Sequence, residues 1–349
     1  MGERQFVESV WYGQDRLSRV LRTALAPLER IFGAAVGARG MLYDTGWLRT
    51  HDTAVPAISV GNVTVGGTGK TPVAAWIARE LAARGAHPAI VLRGYGADEP
   101  RVHSLLNPDI PVVTGADRLQ AIAAAAARGA DIAVLDDGFQ HRRARRVADI
   151  VLVSADRWHD DARLLPAGPF REPLEALRRA TMIVVTRKAA SDAAVDAVHA
   201  AIARIARSVP RVGVRLALGQ LVRADDPTVV RPLGDLAGAS VAAVLAIGDP
   251  QAFVRQLEAR GARVRPVLFP DHHDFRPADV ARIVGSLAVN EWAVCTLKDA
   301  VKLAPVWPRL TPPLWYVSQQ VMVERGVGGL ERLLDDIAQK RSGTSPTAG

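Results

Sequence analysis

The chain has 349 residues, of which 49% are hydrophobic and only 5% aromatic, and it carries a net charge of +8. This length predicts about two domains with a sizeable core, and the single cysteine, Cys295, excludes an internal disulfide and favours a reducing compartment. The charge favours an anionic partner: a nucleotide, a nucleic acid, a phosphorylated substrate or an acidic membrane surface. No zinc-type spacing and no cleavable signal peptide is recognisable, and Arg39 interrupts the best candidate for a spanning helix, so we expect a soluble or surface-bound protein.

The first predicted element is an amphipathic helical segment at residues 1–40. Residues 5–32 carry apolar side chains at near-helical spacing, among them Trp11, with arginines between them. Pro27 is expected to kink or end the first helix. Apolar residues on one side and arginines on the other are typical of a helix in a membrane interface. An ordinary helix packed on a domain fits the same periodicity, so both interpretations stay open.

A glycine-rich loop between a predicted strand and a predicted helix, residues 58–72 (ISVGNVTVGGTGKTP), is the strongest signal in the chain. Glycines leave main-chain N–H groups free to surround nucleotide phosphates, and the helix N-terminus adds positive partial charge. Lys70 is expected to reach the β- and γ-phosphates and the Thr71 hydroxyl to bind Mg²⁺. Thr64 stands where the usual P-loop spacing has a glycine. The predicted nucleotide-binding residues are Gly66, Gly67, Thr68, Gly69, Lys70, Thr71 and Pro72.

Acidic pairs follow two further predicted strands. Asp136 and Asp137 come directly after an apolar strand at 132–135, and such an aspartate forms the second half of a P-loop site, in the Mg²⁺ shell. Asp98 and Glu99 follow the preceding strand, which places them at the edge where parallel sheets bind ligands. From position alone they could equally form a turn, because aspartate and the proline that follows are turn formers.

Two clusters of basic side chains have less specific meanings. The run HRRARR at 141–146 is either a solvated surface or, beside a phosphate site, a place for a second anionic group. His272 and His273 have no partner close in sequence, which favours surface or capping histidines. Adjacent histidines also have poor geometry for joint zinc ligation.

Strands and helices alternate along most of the chain, which predicts an α/β fold. Residues 209–231 change to short alternating pieces with turn signals, which we interpret as a linker region between two domains. The predicted division is an amphipathic segment at 1–40, a P-loop core domain at 41–215, a linker at 216–235, a smaller α/β domain at 236–335 and a flexible tail at 336–349.

Seven motifs occur in the order of one known family. They are GNVTVGGTGKTP (61–72), RGYG (93–96), DEP (98–100), LDDGFQHRR (135–143), LLPAGPFREP (164–173), FPDHHDF (269–275) and TLKDAVK (296–302). On these motifs the sequence resembles the tetraacyldisaccharide 4′-kinases, the lipid A 4′-kinases of Gram-negative bacteria. The likeness extends from the N-terminal helix to about residue 330, although Ala97 replaces a glycine that is usual in the family.

The resemblance implies an activity, a location and a fold. The activity is ATP- and Mg²⁺-dependent phosphorylation of the 4′-hydroxyl of tetraacyldisaccharide 1-phosphate, which forms lipid IVA in lipopolysaccharide synthesis. The location is peripheral, on the cytoplasmic face of the inner membrane. The fold is a P-loop NTPase-like parallel-sheet domain and a smaller α/β domain, joined by a short β linker and preceded by the amphipathic helix.

The resemblance also implies roles for individual side chains. Asp98 would be the general base, paired with His272, and Lys70 would act on the transferred phosphate. The metal ligands would be Thr71, Asp136 and Asp137, and the cleft would be lined by Glu99, His141, Arg171 and Glu172.

Three alternatives belong to other classes. A P-loop kinase for a soluble sugar or other metabolite would leave the N-terminal amphipathic segment without a role. A switch ATPase or GTPase would bind a protein partner, but the Asn-Lys-x-Asp signal of a guanine site is missing. A nucleic-acid binder is suggested by charge alone, without an aromatic-rich strand or a helix-turn-helix. We therefore expect no nucleic-acid partner, and a monomer as the acting form.

Overall fold

The computed structural model describes residues 3–341 apart from residues 95, 97 and 160. Its α-helices are α1 (Glu3–Tyr12), α2 (Arg16–Asp44), α3 (Lys70–Ala83), α4 (Asp98–Leu106), α5 (Arg118–Ala127), α6 (Asp192–Ile205), α7 (Pro250–Glu258), α8 (Pro277–Gly285), α9 (Leu297–Leu303) and α10 (Val327–Lys340). Helix α10 continues through residues 336–340, which the sequence assigned to a flexible tail, and residues 342–349 lie outside the described residues.

The strands of the described residues join into one sheet. They are β1 (Ala57–Asn62), β2 (Pro88–Leu92), β3 (Val112–Thr114), β4 (Ile132–Asp136), β5 (Ala148–Ser154), β6 (Met182–Arg187), β7 (Arg211–Arg223), β8 (Val230–Arg231), β9 (Ser240–Leu245), β10 (Arg263–Leu268), β11 (Trp292–Thr296) and β12 (Leu314–Arg325). The order is β10-β9-β11-β12-β7-β6-β5-β1-β4-β2-β3, with β8 paired to β7. Neighbours run parallel except at β12–β7 and β7–β8.

The inner parallel strands are mostly buried because helices cover both faces of the sheet, whereas β10, at the sheet edge, is largely exposed. All six residues of β1 are buried, as are all five of β2 and of β4. Right-handed crossovers between parallel strands bring their carboxyl ends to one edge. The loops after β1, β2 and β4 therefore meet on the same side of the first half of the sheet, and those after β9, β10 and β11 meet on the same side of the second.

The two halves of the sheet are joined by the long antiparallel pair β7 and β12. This confirms the predicted fold class, in which a P-loop-type parallel unit and a smaller α/β unit are connected by β structure after an N-terminal helix. The chain crosses back at its end, since Leu330, Leu334 and Ile337 of α10 pack in the core cluster of the P-loop unit. The packing thus places α10 with the first unit, although the sequence division put most of this helix in the second domain.

The N-terminal helices lie against the P-loop unit. The break between α1 and α2 falls at Gly13, with Asp15 capping α2 through the Ser18 amide at 2.9 Å. Pro27 lies inside α2 and does not end it, because a proline removes only one hydrogen bond from a 29-residue helix. Within the described part of the chain, no helix combines the length and apolar character needed to cross a membrane.

Candidate active site

The glycine-rich loop connects β1 to α3 as the sequence predicted. Gly66 and Gly69 have φ values of 111° and 84°, in the left-handed region that favours glycine. The side chain of Thr68 is buried, accepts a hydrogen bond from Asn62 Nδ2 at 2.8 Å, and faces the interior. Its carbonyl accepts from the Thr186 hydroxyl at 2.9 Å. Thr68 therefore fixes the shape of the loop, which leaves its main chain to face the cavity.

Three charged side chains meet beside this loop. Arg171 donates to both carboxylate oxygens of Asp137, at 3.1 and 3.0 Å, and Lys70 Nζ lies 3.7 Å from the same carboxylate. Burial lowers the pKa of Lys70, while the Asp137 charge opposes that shift. Burial raises the pKa of Asp137, but Lys70 and Arg171 outweigh it and hold the pKa below the usual value. The cluster therefore has two cations and one anion, which leaves net positive charge next to a phosphate-binding loop.

Asp136 ends β4 and is almost fully buried. Its Oδ2 is 2.9 Å from Nε2 of His103, a histidine of α4 with no exposed surface. Its Oδ1 is buried and has no hydrogen-bond partner. The sequence analysis missed His103, although it lies one helical turn after Glu99 and so projects from the same side of α4.

These residues fit a bound Mg²⁺. A buried carboxylate oxygen without a partner calls for a ligand, and Mg²⁺ prefers carboxylate, hydroxyl, water and phosphate oxygens. Thr71 lies in the first turn of α3 and, like Asp136, borders the same cavity. Among the described residues, no cluster of three or more His, Cys, Asp or Glu side chains forms a protein-only metal site. An ion held partly by nucleotide phosphates does not need one.

Across the cavity, Asp98 of the P-loop unit meets His272 of the second unit. Asp98 Oδ2 lies 3.2 Å from His272 Nδ1. Burial raises the pKa of Asp98, but the hydrogen bond from His272 and the charges of Lys298 and Lys302 prevail and lower it to about 2. Lys298 extends the contact, since its Nζ is 3.3 Å from His272 Nε2 and 3.4 Å from Glu99 Oε1. Two loops from different halves of the sheet are thereby linked through charged groups.

The two adjacent histidines behave differently. His273 stacks on Phe269 at 4.9 Å between ring centroids, and its Nε2 lies 3.0 Å from Asp279. The His272 side chain is 45% exposed and turns to the cavity. His272 has φ of 60°, a conformation that residues with a side chain seldom adopt and that clusters at functional sites. The surface or capping interpretation of both histidines is therefore replaced by an anchor and a cavity residue.

Most of these groups line one cavity of about 590 Å³ between the two units, while Asp98 is outside its lining and contacts it through His272. It is bordered by residues 65–72, Asp136, Asp137, Arg171, Glu99, Lys298 and His272. It also has members that the sequence analysis did not assign to a site, namely Lys188, Asp249, Phe253, Gln256 and Gln319. Their only sequence signal is that Asp249 follows a predicted strand, as Asp98 and Asp136 do.

Two predicted cleft residues do not line this cavity. Glu172 is buried and bonds to Gln140 Nε2 at 3.0 Å and Arg179 at 2.9 Å. His141 lies in the basic run, where burial and nearby arginines lower its pKa to about 4. Glu172 is held away from the cavity by these partners, whereas Nε2 of His141 is buried and has no hydrogen-bond partner.

The arginines of the basic run form ion pairs with nearby aspartates. Its four arginines reach Asp44, Asp117, Asp52 and Asp149 at 2.5 to 3.2 Å. The Arg142 contact joins the run to the end of α2. The arginines are thus neither an unpaired solvated surface nor a free anion site, because each one has a carboxylate partner.

A family model and curated relatives name one family. The family model described as tetraacyldisaccharide-1-P 4′-kinase matches residues 21–109 and 97–339. A tetraacyldisaccharide 4′-kinase of Anaeromyxobacter sp. (strain Fw109-5) is 38% identical over 98% of this chain and 99% of its own. That of Xanthomonas campestris pv. campestris (strain 8004) is 36% identical over 84% of this chain and 86% of its own.

A solved structure agrees with these relatives. The crystal structure of LpxK from Aquifex aeolicus in complex with ATP superposes with a TM-score of 0.70, at 27% identity, over 91% of this chain and 99% of that chain. This chain belongs to the tetraacyldisaccharide-1-P 4′-kinase family.

Proposed function

We propose that the protein transfers the γ-phosphoryl group of ATP to the 4′-hydroxyl of tetraacyldisaccharide 1-phosphate. The observation that carries the proposal is the cavity geometry. A phosphate-binding loop with Lys70 and Arg171 lies on one side, and the Asp98–His272 pair lies on the other. A kinase needs these two parts, one to hold the transferred phosphate and one to receive the acceptor hydroxyl.

On the phosphate side, the protein supplies positive charge and main-chain donors. The N–H groups around Gly66 and Gly69 and the start of α3 suit phosphate oxygens. Lys70 and Arg171 neutralise negative charge on the transferred group, which is where phosphoryl transfer gains most of its catalysis. Thr71 and Asp136 would hold Mg²⁺, which would neutralise further phosphate charge. Asp137 keeps Lys70 and Arg171 oriented toward that position through the contacts described above.

On the acceptor side, Asp98 and His272 act on the hydroxyl proton. The 4′-oxygen forms a bond to the γ-phosphorus, the bond to the β–γ bridging oxygen breaks, and that oxygen leaves with the electron pair as part of ADP. The hydroxyl proton passes to Asp98. A carboxylate with a pKa of about 2 is a weak base, so His272, whose Nδ1 lies 3.2 Å from Asp98, orients it and shares the proton.

The protein meets its acylated substrate at a membrane surface. One face of α2 carries a row of exposed side chains that runs along the helix: Leu17, Val20, Ala24, Leu28, Ile31, Ala35, Ala38 and Leu42. We call this row the α2 stripe. Exposed Arg16, Arg19 and Arg30 flank it, as expected for an interfacial helix on anionic lipid. The stripe supports peripheral attachment to the cytoplasmic face of the inner membrane.

Trp11 has a different environment from the one that the sequence suggested. Its indole Nε1 donates to the Pro166 carbonyl at 2.9 Å, so it ties α1 to the loop that also carries Arg171. Glu29 of α2 holds the same loop through the Leu164 amide at 2.8 Å. The helices that carry the stripe are therefore joined directly to the catalytic unit.

The test is a product assay with Mg-ATP and tetraacyldisaccharide 1-phosphate in mixed micelles. We expect a bisphosphate by mass spectrometry and one ADP for each product molecule, with no product from Lys70→Ala. A deacylated disaccharide 1-phosphate is the matched acceptor that separates lipid from soluble substrates. No bisphosphate from a folded protein, or faster turnover of the deacylated acceptor, would contradict the proposal.

A further inference from the structure

A buried carboxylate close to the cavity has no part in the chemistry described so far. Asp299, in the first turn of α9, has no exposed surface. Burial raises its pKa to about 6, against the hydrogen bonds from Thr296 and Ala246 and the charge of Lys302. Burying an acid is unfavourable unless its hydrogen bonds compensate, so the partners of Asp299 indicate what it does.

Those partners tie α9 to the end of β9. Asp299 Oδ1 accepts the main-chain N–H of Ala246 at 3.0 Å, and Oδ2 accepts the Thr296 hydroxyl at 2.8 Å. Ala246 is 1% exposed and directly follows β9. Its carbonyl in turn accepts the main-chain N–H of His272 at 3.1 Å. A continuous chain of hydrogen bonds thus runs from Asp299 through Ala246 to His272.

His272 needs such support more than its neighbours do. Its backbone lies in the left-handed region, and its ring is 45% exposed. A conformation of this kind persists only when surrounding contacts impose it. On one side the loop is anchored by the stacking of His273 on Phe269. At His272 itself the main-chain N–H is anchored by the carbonyl of Ala246. Asp299 in turn holds Ala246 through its main-chain N–H.

We infer that Asp299 is a positioning residue for His272: by fixing Ala246 it holds the His272 ring against Asp98 across the cavity. The inference rests on the proposed kinase function, in which His272 assists the proton acceptor. The competing interpretation is that Asp299 only stabilises α9, since its amide also bonds to the Thr296 hydroxyl at 3.3 Å. The two interpretations differ in whether the effect of Asp299 requires His272.

The first measurement is steady-state kinetics of Asp299→Ala and Asp299→Asn. A small displacement of a catalytic group lowers turnover steeply, so Asp299→Ala should lose kcat by about tenfold to a hundredfold. KM for ATP should stay within about twofold, because the nucleotide loop is not touched. Asp299→Asn should recover part of kcat, since its amide oxygen can still accept the Ala246 N–H. An unchanged kcat in folded Asp299→Ala would overturn the inference.

The matched control is Glu291→Gln. Glu291 is another buried carboxylate of the same unit, at the opposite end of β11, where it pairs with Arg265 at 2.7 Å. Its loss should lower the thermal midpoint without lowering kcat. A kcat loss in Glu291→Gln as large as in Asp299→Ala would mean that loss of stability alone explains both effects, which overturns the positioning role.

The deciding experiment repeats the Asp299 change in a His272→Ala background. A positioning residue has nothing left to position there, so Asp299→Ala should cause no further loss of kcat. If Asp299→Ala lowered kcat by the same factor in the wild-type and His272→Ala backgrounds, Asp299 would act independently of His272. If Asp299→Ala does not fold, Asp299→Asn serves in the same cycle with the same two outcomes. Product formation by the wild-type protein tests the proposed kinase function separately. A wrong positioning role for Asp299 is therefore distinguished from a wrong kinase assignment.

Discussion

The Asp98–His272 pair gives the sharpest prediction about catalysis. The two residues come from different units, and Nδ1 of His272 lies 3.2 Å from Oδ2 of Asp98. The Asp98 side chain is only 6% exposed. The lowering of the Asp98 pKa from 3.8 to about 2 corresponds to about 2 kcal/mol in favour of the carboxylate form. This preference keeps Asp98 ionised, so that it can accept the hydroxyl proton. It also means that Asp98 binds a proton weakly without help from His272.

Alanine at either position should therefore remove most of the general-base contribution. That contribution is typically about 10²–10⁴-fold, or about 3–5 kcal/mol of activation free energy. Two independent losses of this size would multiply to about 10⁴–10⁸, whereas groups that act as one unit are lost only once. We expect the Asp98→Ala, His272→Ala double variant to stay within about 10²–10⁴ of the wild type.

The assay is kcat at saturating ATP with lipid acceptor in micelles, together with ATP affinity for each variant. His199→Ala is the control histidine, because His199 lies on α6 and is not part of the cavity. ATP affinity should be nearly unchanged in all variants. Losses that multiply would refute the pair as a unit and leave His272 as a separate substrate contact.

Three further predictions concern other parts of the molecule. Lys70→Ala should abolish turnover while the thermal midpoint is retained, and wild-type rates in that variant would refute the P-loop assignment. The α2 stripe variant Leu28→Glu, Ile31→Glu should release the protein from anionic vesicles in a sedimentation assay, while Val289→Glu, which changes a still more exposed apolar residue of the second unit, should not. Because the Asp299 pKa is raised to about 6, its contribution to stability is complete below about pH 4 and is lost as pH rises through 6, about 3 kcal/mol in all. Asp299→Asn should flatten the dependence of the unfolding free energy on pH in this range. An unaltered dependence would contradict the raised pKa of Asp299.

Features with a local cause could be predicted from the amino-acid sequence alone. A glycine-rich turn followed by Lys70 and Thr71 can be recognised because the loop conformation needs glycine and the helix start needs those side chains next to it. Asp136 and Asp137 could be placed because a buried apolar strand has to end where its polar residues begin. The order of seven motifs was enough to predict the family and the fold class.

Other features depended on contacts between segments distant in the chain. Pairing of the Arg142 side chain with Asp44 and packing of α10 on the P-loop unit follow from how helices lie on the sheet, which local periodicity does not encode. The same is true of Trp11, whose spacing suits a membrane face but whose indole bonds to a neighbouring loop. In each case a tertiary partner replaced the environment that an isolated helix or loop would have had.

The cavity shows most clearly which features the sequence predicts and which depend on tertiary structure. The resemblance paired Asp98 with His272, but only the tertiary structure brings the two within 3.2 Å, places Lys298 on the other ring nitrogen of His272 and connects Asp299 to His272 through Ala246. The physical reason is that a parallel sheet gathers the carboxyl ends of strands that are far apart in sequence. Sequence patterns determine which residues end each strand, whereas strand order and the β7–β12 connection decide which of those ends face one another.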